Sequence, residues 1–389
     1  MSSIAPTYGP RKMNLVKGQG AWVYDDQGQA YLDFSSGIAV TSLGHNHPAL
    51  TKALLSQADT LLHVSNLYGI PVQEKLATRL TENSFADAVF FCNSGAEAME
   101  ACFKFARRFF WHNNQPERTE IISFSGAFHG RTIATIAAGG SAKYLEGFGP
   151  KANGFLQVEF GDLAAAEALI GPKTAALVFE PIQGESGIRP HDAAFIREAR
   201  ELADSYGLLL IVDEVQTGVG RTGTFWAHED YGISPDLLGS AKGLGGGVPI
   251  GATLMTASVA DALAPGTHGT TYGGNPLAVS AALAVIEIID QPNFLQSVQT
   301  KSEILTKGLE SLIRGDNRIL SGHRGKGLMQ SVQVQSDIAV SDVVEAARQQ
   351  GLLTVPAGNQ TVRLLPPLNI SESEIKDGLT KLEGAIKSL

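Results

Sequence analysis

Cysteine is almost missing from this chain: Cys92 and Cys102 are the only two among 389 residues. Two cannot build a disulfide framework or a thiolate zinc site. Both stand in one apolar region, as reduced core thiols do, so a cytoplasmic setting is expected. Basic residues are also short, 30 Lys and Arg against 39 Asp and Glu, for a formal charge of −9. With that balance and no basic stripe, nucleic acid is not an expected partner. No apolar run reaches the ~20 residues needed to cross a bilayer. The opening MSSIAPTYGPRKM has no apolar core of the kind a secretory leader carries. Neither membrane insertion nor export is therefore expected. Metal-ligand clusters are lacking too. His45 and His47 have no acidic or thiol neighbour in the sequence and read as turn residues. Low-complexity tracts, internal repeats and linker-like segments are absent, which argues against disorder.

Hydrophobic residues make up 43% of the chain, enough over this length for a large core and two domains. Ala88 to Phe91, Glu120 to Phe124, Thr174 to Phe179 and Leu208 to Val212 read as strands. Pro71 to Glu82, the stretch after Ser94 to about Trp111, and Asp192 to Tyr206 read as helices between them. Pro249 to Thr256 reads as a further strand. Such alternation is the doubly wound α/β pattern. Before it, Trp22 to Tyr24 and Tyr31 to Phe34 flank turn residues Asp25 to Gly28, a hairpin signal. After it come helices at Asn275 to Asp290, Phe294 to Arg314, Ser341 to Gln350 and Ser371 to Leu389. With strands at Gly327 to Val334 and Thr361 to Leu365, they form a smaller α/β unit.

The chemistry is densest between Leu208 and Ala252. Leu208 to Val212 is too short and too continuously apolar for a helix, and reads as a strand buried on both faces of a parallel sheet. It ends on Asp213, where open α/β sheets place ligands; a helix cap is the plainer reading of such an Asp. Lys242 follows Ala241 and precedes Gly243, Gly245, Gly246 and Gly247. In small, apolar company its ammonium pKa can fall, which suits Schiff-base chemistry, although most lysines are simply solvated. An Asp for a pyridinium nitrogen and a Lys for an imine are what pyridoxal phosphate chemistry asks of a protein. Between them, Gly218 to Gly223 spells G-x-G-x-x-G. It neither follows a strand directly nor opens a helix, so it reads as a glycine-permitted turn rather than a dinucleotide site.

Three further stretches qualify. Ser94 and Glu97 match a capping box at a strand-to-helix junction, and Gly95 and Ala96 would let an anion approach the helix N-terminus; a well-capped helix is the alternative. Phe128, His129 and Arg131 share a glycine-bounded loop that could offer a stacking face and a carboxylate clamp, or a core ring and a surface ion pair. Glu180 and Glu185 follow a second strand end. Arg363 stands in an apolar strand, either paired or awaiting an anion.

The block DEVQTGVGRTG, with WAHEDYGISPDLLGSAKGLGGGVPIGA after it, resembles the class III, or ornithine-type, aminotransferases. The resemblance runs from Tyr31 to the Arg363 strand and is strongest to the acetylornithine branch. It implies the fold type I architecture of pyridoxal-phosphate enzymes, with a mostly parallel, seven-stranded-type sheet in the large domain. Residues 46–275 would form that domain, and 1–45 with 276–389 a smaller α/β one. Lys242 would carry pyridoxal 5'-phosphate as an imine and later serve as general base. Asp213 would keep the ring nitrogen protonated, and Gln216 would lie by the 3-oxygen. Ser94, Gly95 and Ala96 would take the phosphate, and Phe128 would stack on the ring. Thr271, with Thr270, would reach the phosphate of the other subunit's cofactor, making the site a property of a homodimer. Arg131 would bind the carboxylate far from the reacting amine, and Arg363 the α-carboxylate of glutamate or 2-oxoglutarate. Glu185 would pair with Arg363 when no such carboxylate is present.

Ile38 bears on the amino donor. Ornithine aminotransferases carry a tyrosine there, and isoleucine cannot hydrogen-bond a free α-amino group. An acylated α-nitrogen suits it better. The expected ping-pong reaction is N2-acetylornithine with 2-oxoglutarate, giving N-acetylglutamate 5-semialdehyde and glutamate, a step of arginine biosynthesis. Ornithine, succinylornithine, 4-aminobutyrate, and acylated lysine or diaminopimelate are the alternative donors. A nicotinamide-dependent oxidoreductase built on Gly218 to Gly223 is the remote one.

Overall fold

The computed structural model describes residues 3–315 and 318–389. Residues 1 and 2, and 316 and 317 within the expected C-terminal segment, lie outside the described residues. The chain is organised by a seven-stranded sheet in the order Ala88–Cys92, Gly251–Met255, Leu237–Ser240, Leu209–Asp213, Thr174–Phe179, Glu120–Phe124, Phe155–Val158. Neighbours pair in parallel except at Gly251–Met255, which runs antiparallel to both sides. Every residue of Thr174–Phe179 and of Leu209–Asp213 is buried. Layers on both faces explain that. The helix Gly95–His112 covers one face with Met99, Phe103 and Phe110, and Ala193–Ser205 covers the other with Phe195 and Ile196. Side chains of this size contribute roughly 1.5–3 kcal/mol each when fully buried, so Phe103→Ala would cost about 3–5 kcal/mol.

The two ends of the chain meet. Leu15–Gln19, Trp22–Asp25 and Ala30–Asp33 form an antiparallel meander, and Leu352–Leu353 adds in parallel to its last strand. A second four-stranded sheet runs Leu320–Lys326, Met329–Val334, Thr361–Leu364, Val355–Ala357. Helices Phe294–Gly315 and Glu372–Lys387 accompany it. One apolar cluster spans Leu32, Leu76, Leu283, Leu305 and Leu382, so the core is continuous from the meander to the last helix. Helix Pro276–Ile289 is buried along most of its length and packs on Pro48–Ala58 and Pro71–Glu82. Among the described residues no single helix is long and apolar enough to cross a membrane.

The sequence reading of the central strands and main helices agrees with this to within a residue or two. Strands Leu15–Gln19, Phe155–Val158, Leu237–Ser240 and Leu320–Lys326 escaped it. The capping box at Ser94 is half formed. Ser94 Oγ accepts the Glu97 amide at 3.2 Å, but the Glu97 carboxylate accepts from the Asn93 amide at 2.6 Å, one residue earlier than the motif expects. Gly218 to Gly223 forms consecutive turns, followed by no α-helix, with Gly220 and Gly223 at φ 84° and 97°. A Cβ on Gly218 would come within 2.7 Å of the Trp226 ring, so this glycine serves packing.

Candidate active site

Four chain segments leave the same edge of the sheet and enclose a cavity of about 410 Å³. Strand Ala88–Cys92 delivers Ser94, Gly95 and Ala96; Glu120–Phe124 delivers Phe128 and Arg131; Leu209–Asp213 delivers Asp213 and Gln216; Leu237–Ser240 delivers Lys242. Those eight expected site residues line one space although 148 positions separate Ser94 from Lys242. Asn93, Val215, Glu180 and His129 line it as well.

Asp213 is 3% exposed, and its Oδ2 lies 2.8 Å from His129 Nδ1. Its Oδ1 accepts the Val215 amide at 3.0 Å. Burial pushes the His129 pKa down, but Asp213 outweighs burial and the net shift is upward. Glu180 stands close by, its pKa raised to about 7 by burial and by the Asp213 charge. Its two oxygens accept the amides of Phe128 at 2.8 Å and Gly184 at 3.1 Å, tying two loops of the site together. Sequence reasoning named Asp213 and, separately, His129 on its loop, but not their pairing across 84 positions; no local pattern signals such a pair.

Lys242 is half-buried on the cavity wall, with a left-handed backbone at φ 44°. A non-glycine residue held there stores on the order of 1–3 kcal/mol. Desolvation lowers its pKa, helped by Arg363 and opposed by Glu185, Asp213 and Glu180. The neutral, nucleophilic amine is thereby favoured.

The helix Gly95–His112 brings its N-terminus to the same cavity. The first amides of a helix and its dipole favour an anion. Small residues keep the approach clear: a Cβ on Gly95 would lie 2.7 Å from Val215, and one on Gly130 2.6 Å from Ala96. Gln216 lines the cavity with its Oε1 buried and without a hydrogen-bond partner. An anion cradle, an aromatic wall at Phe128, a carboxylate, an amine and an orphaned amide oxygen together fit a flat, phosphorylated ring with a basic nitrogen and an aldehyde.

The remaining expected residues lie off this wall. Glu185 lines an adjoining hollow, bounded also by Phe128 and Tyr144, and binds Arg363 through Nη1 at 2.7 Å and Nη2 at 3.2 Å. Burial would raise the Glu185 pKa, but Arg363, with Lys242 and Arg131, holds it below its usual value. Thr270 Oγ1 accepts from Asn93 Nδ2 at 3.4 Å, and Thr271 is exposed. Ile38 is 38% exposed and sits in a left-handed turn: Ser36, Gly37, Ile38 and Ala39 all have φ between 46° and 67°. The turn is held by Asp33, whose Oδ1 accepts the amides of Ser35 and Ser36. Asp33 Oδ2 meets His45 Nε2 at 2.8 Å, giving that histidine an acidic partner from outside its own turn. No cluster of three or more potential metal ligands occurs among the described residues.

Comparison with known proteins agrees with this geometry. The profile of the family described as Aminotransferase class-III matches residues 3–386. An acetylornithine aminotransferase of Bradyrhizobium diazoefficiens is 50% identical over 386 residues, 99% of this chain and 95% of that protein. The crystal structure of the ornithine aminotransferase of Toxoplasma gondii superposes with a TM-score of 0.95 at 34% identity, covering 99% of this chain and 93% of that one. That of N-acetylornithine aminotransferase from Stenotrophomonas maltophilia gives 0.86 at 37% identity, covering 97% and 96%. The fold is that of the fold type I transferases, and the chain belongs to the class III aminotransferases.

Proposed function

We propose that this enzyme transfers the terminal amino group of N2-acetylornithine to 2-oxoglutarate, using pyridoxal 5'-phosphate, as a homodimer. The observation that carries the reading is the meeting of Lys242 and Asp213 in one cavity that faces a helix N-terminus. Bound pyridoxal phosphate supplies an aldehyde for the amine and a ring that takes up the electron pair left when a C–H proton departs. The chain's own residues do the rest. The Gly95 and Ala96 amides and the Ser94 side chain bind the phosphate. Phe128 covers one ring face and excludes water from it. Asp213, steadied by His129, holds a proton at the ring nitrogen. Gln216 orients the 3-oxygen. Lys242 Nζ, whose pKa desolvation lowers, would take the proton from the carbon bearing the amine and hand it to the carbon that was the cofactor's aldehyde. Thr270 and Thr271 serve the phosphate bound to the second subunit.

Two donors must use one site. Acetylornithine presents a terminal amine with no carboxylate beside it, and glutamate presents an α-carboxylate there. Glu185 neutralises Arg363 for the first and yields it to the second, while Arg131 takes the distant carboxylate of either. Ile38 borders the acylated nitrogen. Support for acetylornithine over ornithine comes from Ile38 and from the 50% identity to a relative named for acetylornithine. Values of kcat/KM for acetylornithine, ornithine, succinylornithine and 4-aminobutyrate test this. Acetylornithine should lead; ornithine in first place would sink the assignment.

A further inference from the structure

Arg131 is exposed, lines the cavity, and makes no hydrogen bond or ion pair to any described residue. It is held by its flat faces instead. The Tyr144 ring lies 3.9 Å from the guanidinium carbon and the Phe128 ring 5.5 Å from it. The two rings meet edge to face at 5.8 Å. Tyr144 comes from the four-residue helix Ala142–Leu145, and it also bounds the hollow that holds Glu185. An arginine fixed through its N–H groups has fewer of them left for a ligand. One fixed through its π faces keeps its whole planar fork available to a carboxylate.

We propose that Tyr144 is a positioning residue for carboxylate recognition: its ring, with Phe128, holds Arg131 in place while leaving every N–H donor to a dicarboxylic substrate. The inference rests on the reading of Arg131 given above. It makes Tyr144 a determinant of selectivity between ligands with a second, distant carboxylate and ligands without one. Phe128 also faces the proposed cofactor site, so it cannot be varied cleanly. Tyr144 is separate from the Lys242 cavity wall and can.

The test compares wild type with Tyr144→Phe and Tyr144→Leu, each loaded with pyridoxal phosphate. Binding of glutarate, a non-reacting dicarboxylate, is measured by calorimetry. Then kcat and KM are measured for 2-oxoglutarate and for pyruvate, which has no second carboxylate. In Tyr144→Leu, glutarate affinity should fall about fivefold and KM for 2-oxoglutarate rise about as much. Its kcat, and kcat/KM for pyruvate, should stay within twofold of wild type. Tyr144→Phe keeps the ring and should match wild type throughout. Unchanged glutarate affinity in Tyr144→Leu, equal losses for pyruvate and 2-oxoglutarate, or failure of Tyr144→Phe to restore binding would each overturn the proposal. Should the transaminase reading itself fail, wild type would turn over neither acceptor, while the dependence of glutarate binding on Tyr144 would still be measurable.

Discussion

Arg363 and Glu185, 178 positions apart, form a two-pronged ion pair in which the guanidinium is 2% exposed and the carboxylate 26%. Arg363 is pinned further by the carbonyls of Gly184 at 3.3 Å and Pro356 at 3.3 Å. The arginine is thus the fixed member and the glutamate the one with access to solvent. Glu185→Ala would leave the arginine open in both half-reactions. We predict that kcat/KM for the ω-amine donor falls at least tenfold relative to that for glutamate. An unchanged ratio would show that the pair does not discriminate.

Ile38 pays a conformational cost for its place. A β-branched residue at φ 67° is disfavoured by roughly 1–2 kcal/mol, a strain that glycine does not carry at this backbone angle. Ile38→Gly should therefore raise Tm by about 2 °C while relaxing donor choice. Ile38→Tyr should raise kcat/KM for ornithine relative to acetylornithine. Thermal melts and initial rates on the same preparations check both. A lower Tm for Ile38→Gly would refute the strain argument.

Glu180 gives a pH signature. Its pKa in the folded chain is about 7, against 4.5 for the ordinary carboxyl. Between those values the native state binds a proton that the unfolded chain has released. The stabilisation is complete below pH 4.5 and is lost as pH rises through 7. In cofactor-free protein, Tm of Glu180→Gln minus that of wild type should therefore increase from pH 5 to pH 8. A constant difference would place the Glu180 pKa near 4.5.

His191 works in the opposite sense. It is stacked between Phe160 and Phe195, at 4.1 Å and 3.8 Å, and burial lowers its pKa to about 3. From pH 6.5 downward the unfolded chain takes up a proton that the native state refuses, so stability falls with acidity. His191→Phe should lose that limb. Its Tm advantage over wild type should grow by about 2–4 °C between pH 7 and pH 5. Parallel Tm curves would contradict the assignment.

Much of this architecture could be read in advance where burial leaves a continuous mark on the sequence. Leu209–Asp213 is apolar at every position but its last because both of its faces are covered, and Pro71 opens a helix as prolines at that position do. Leu237–Ser240 offered only four residues, one of them glycine, and was not read as a strand. The direction of Gly251–Met255 was invisible too, since strand content does not encode whether neighbours run parallel. At the site, Asp213 and Lys242 announced themselves through their surroundings. The left-handed turn at Ile38 did not, because three of its four residues are not glycine and carry no local mark of that conformation. Nor did the His129 contact, because it depends on where a distant segment comes to rest. The Asp33–His45 pair shows the same limit: its members lie on different segments and meet only in the fold.

The account stands or falls on Lys242. Purified protein incubated with pyridoxal phosphate and freed of excess should be yellow. Its visible absorption band should shift to the near ultraviolet on adding glutamate and return with 2-oxoglutarate, and Lys242→Ala should show no turnover. A colourless wild-type protein, or a Lys242→Ala variant that transaminates at the normal rate, would contradict it.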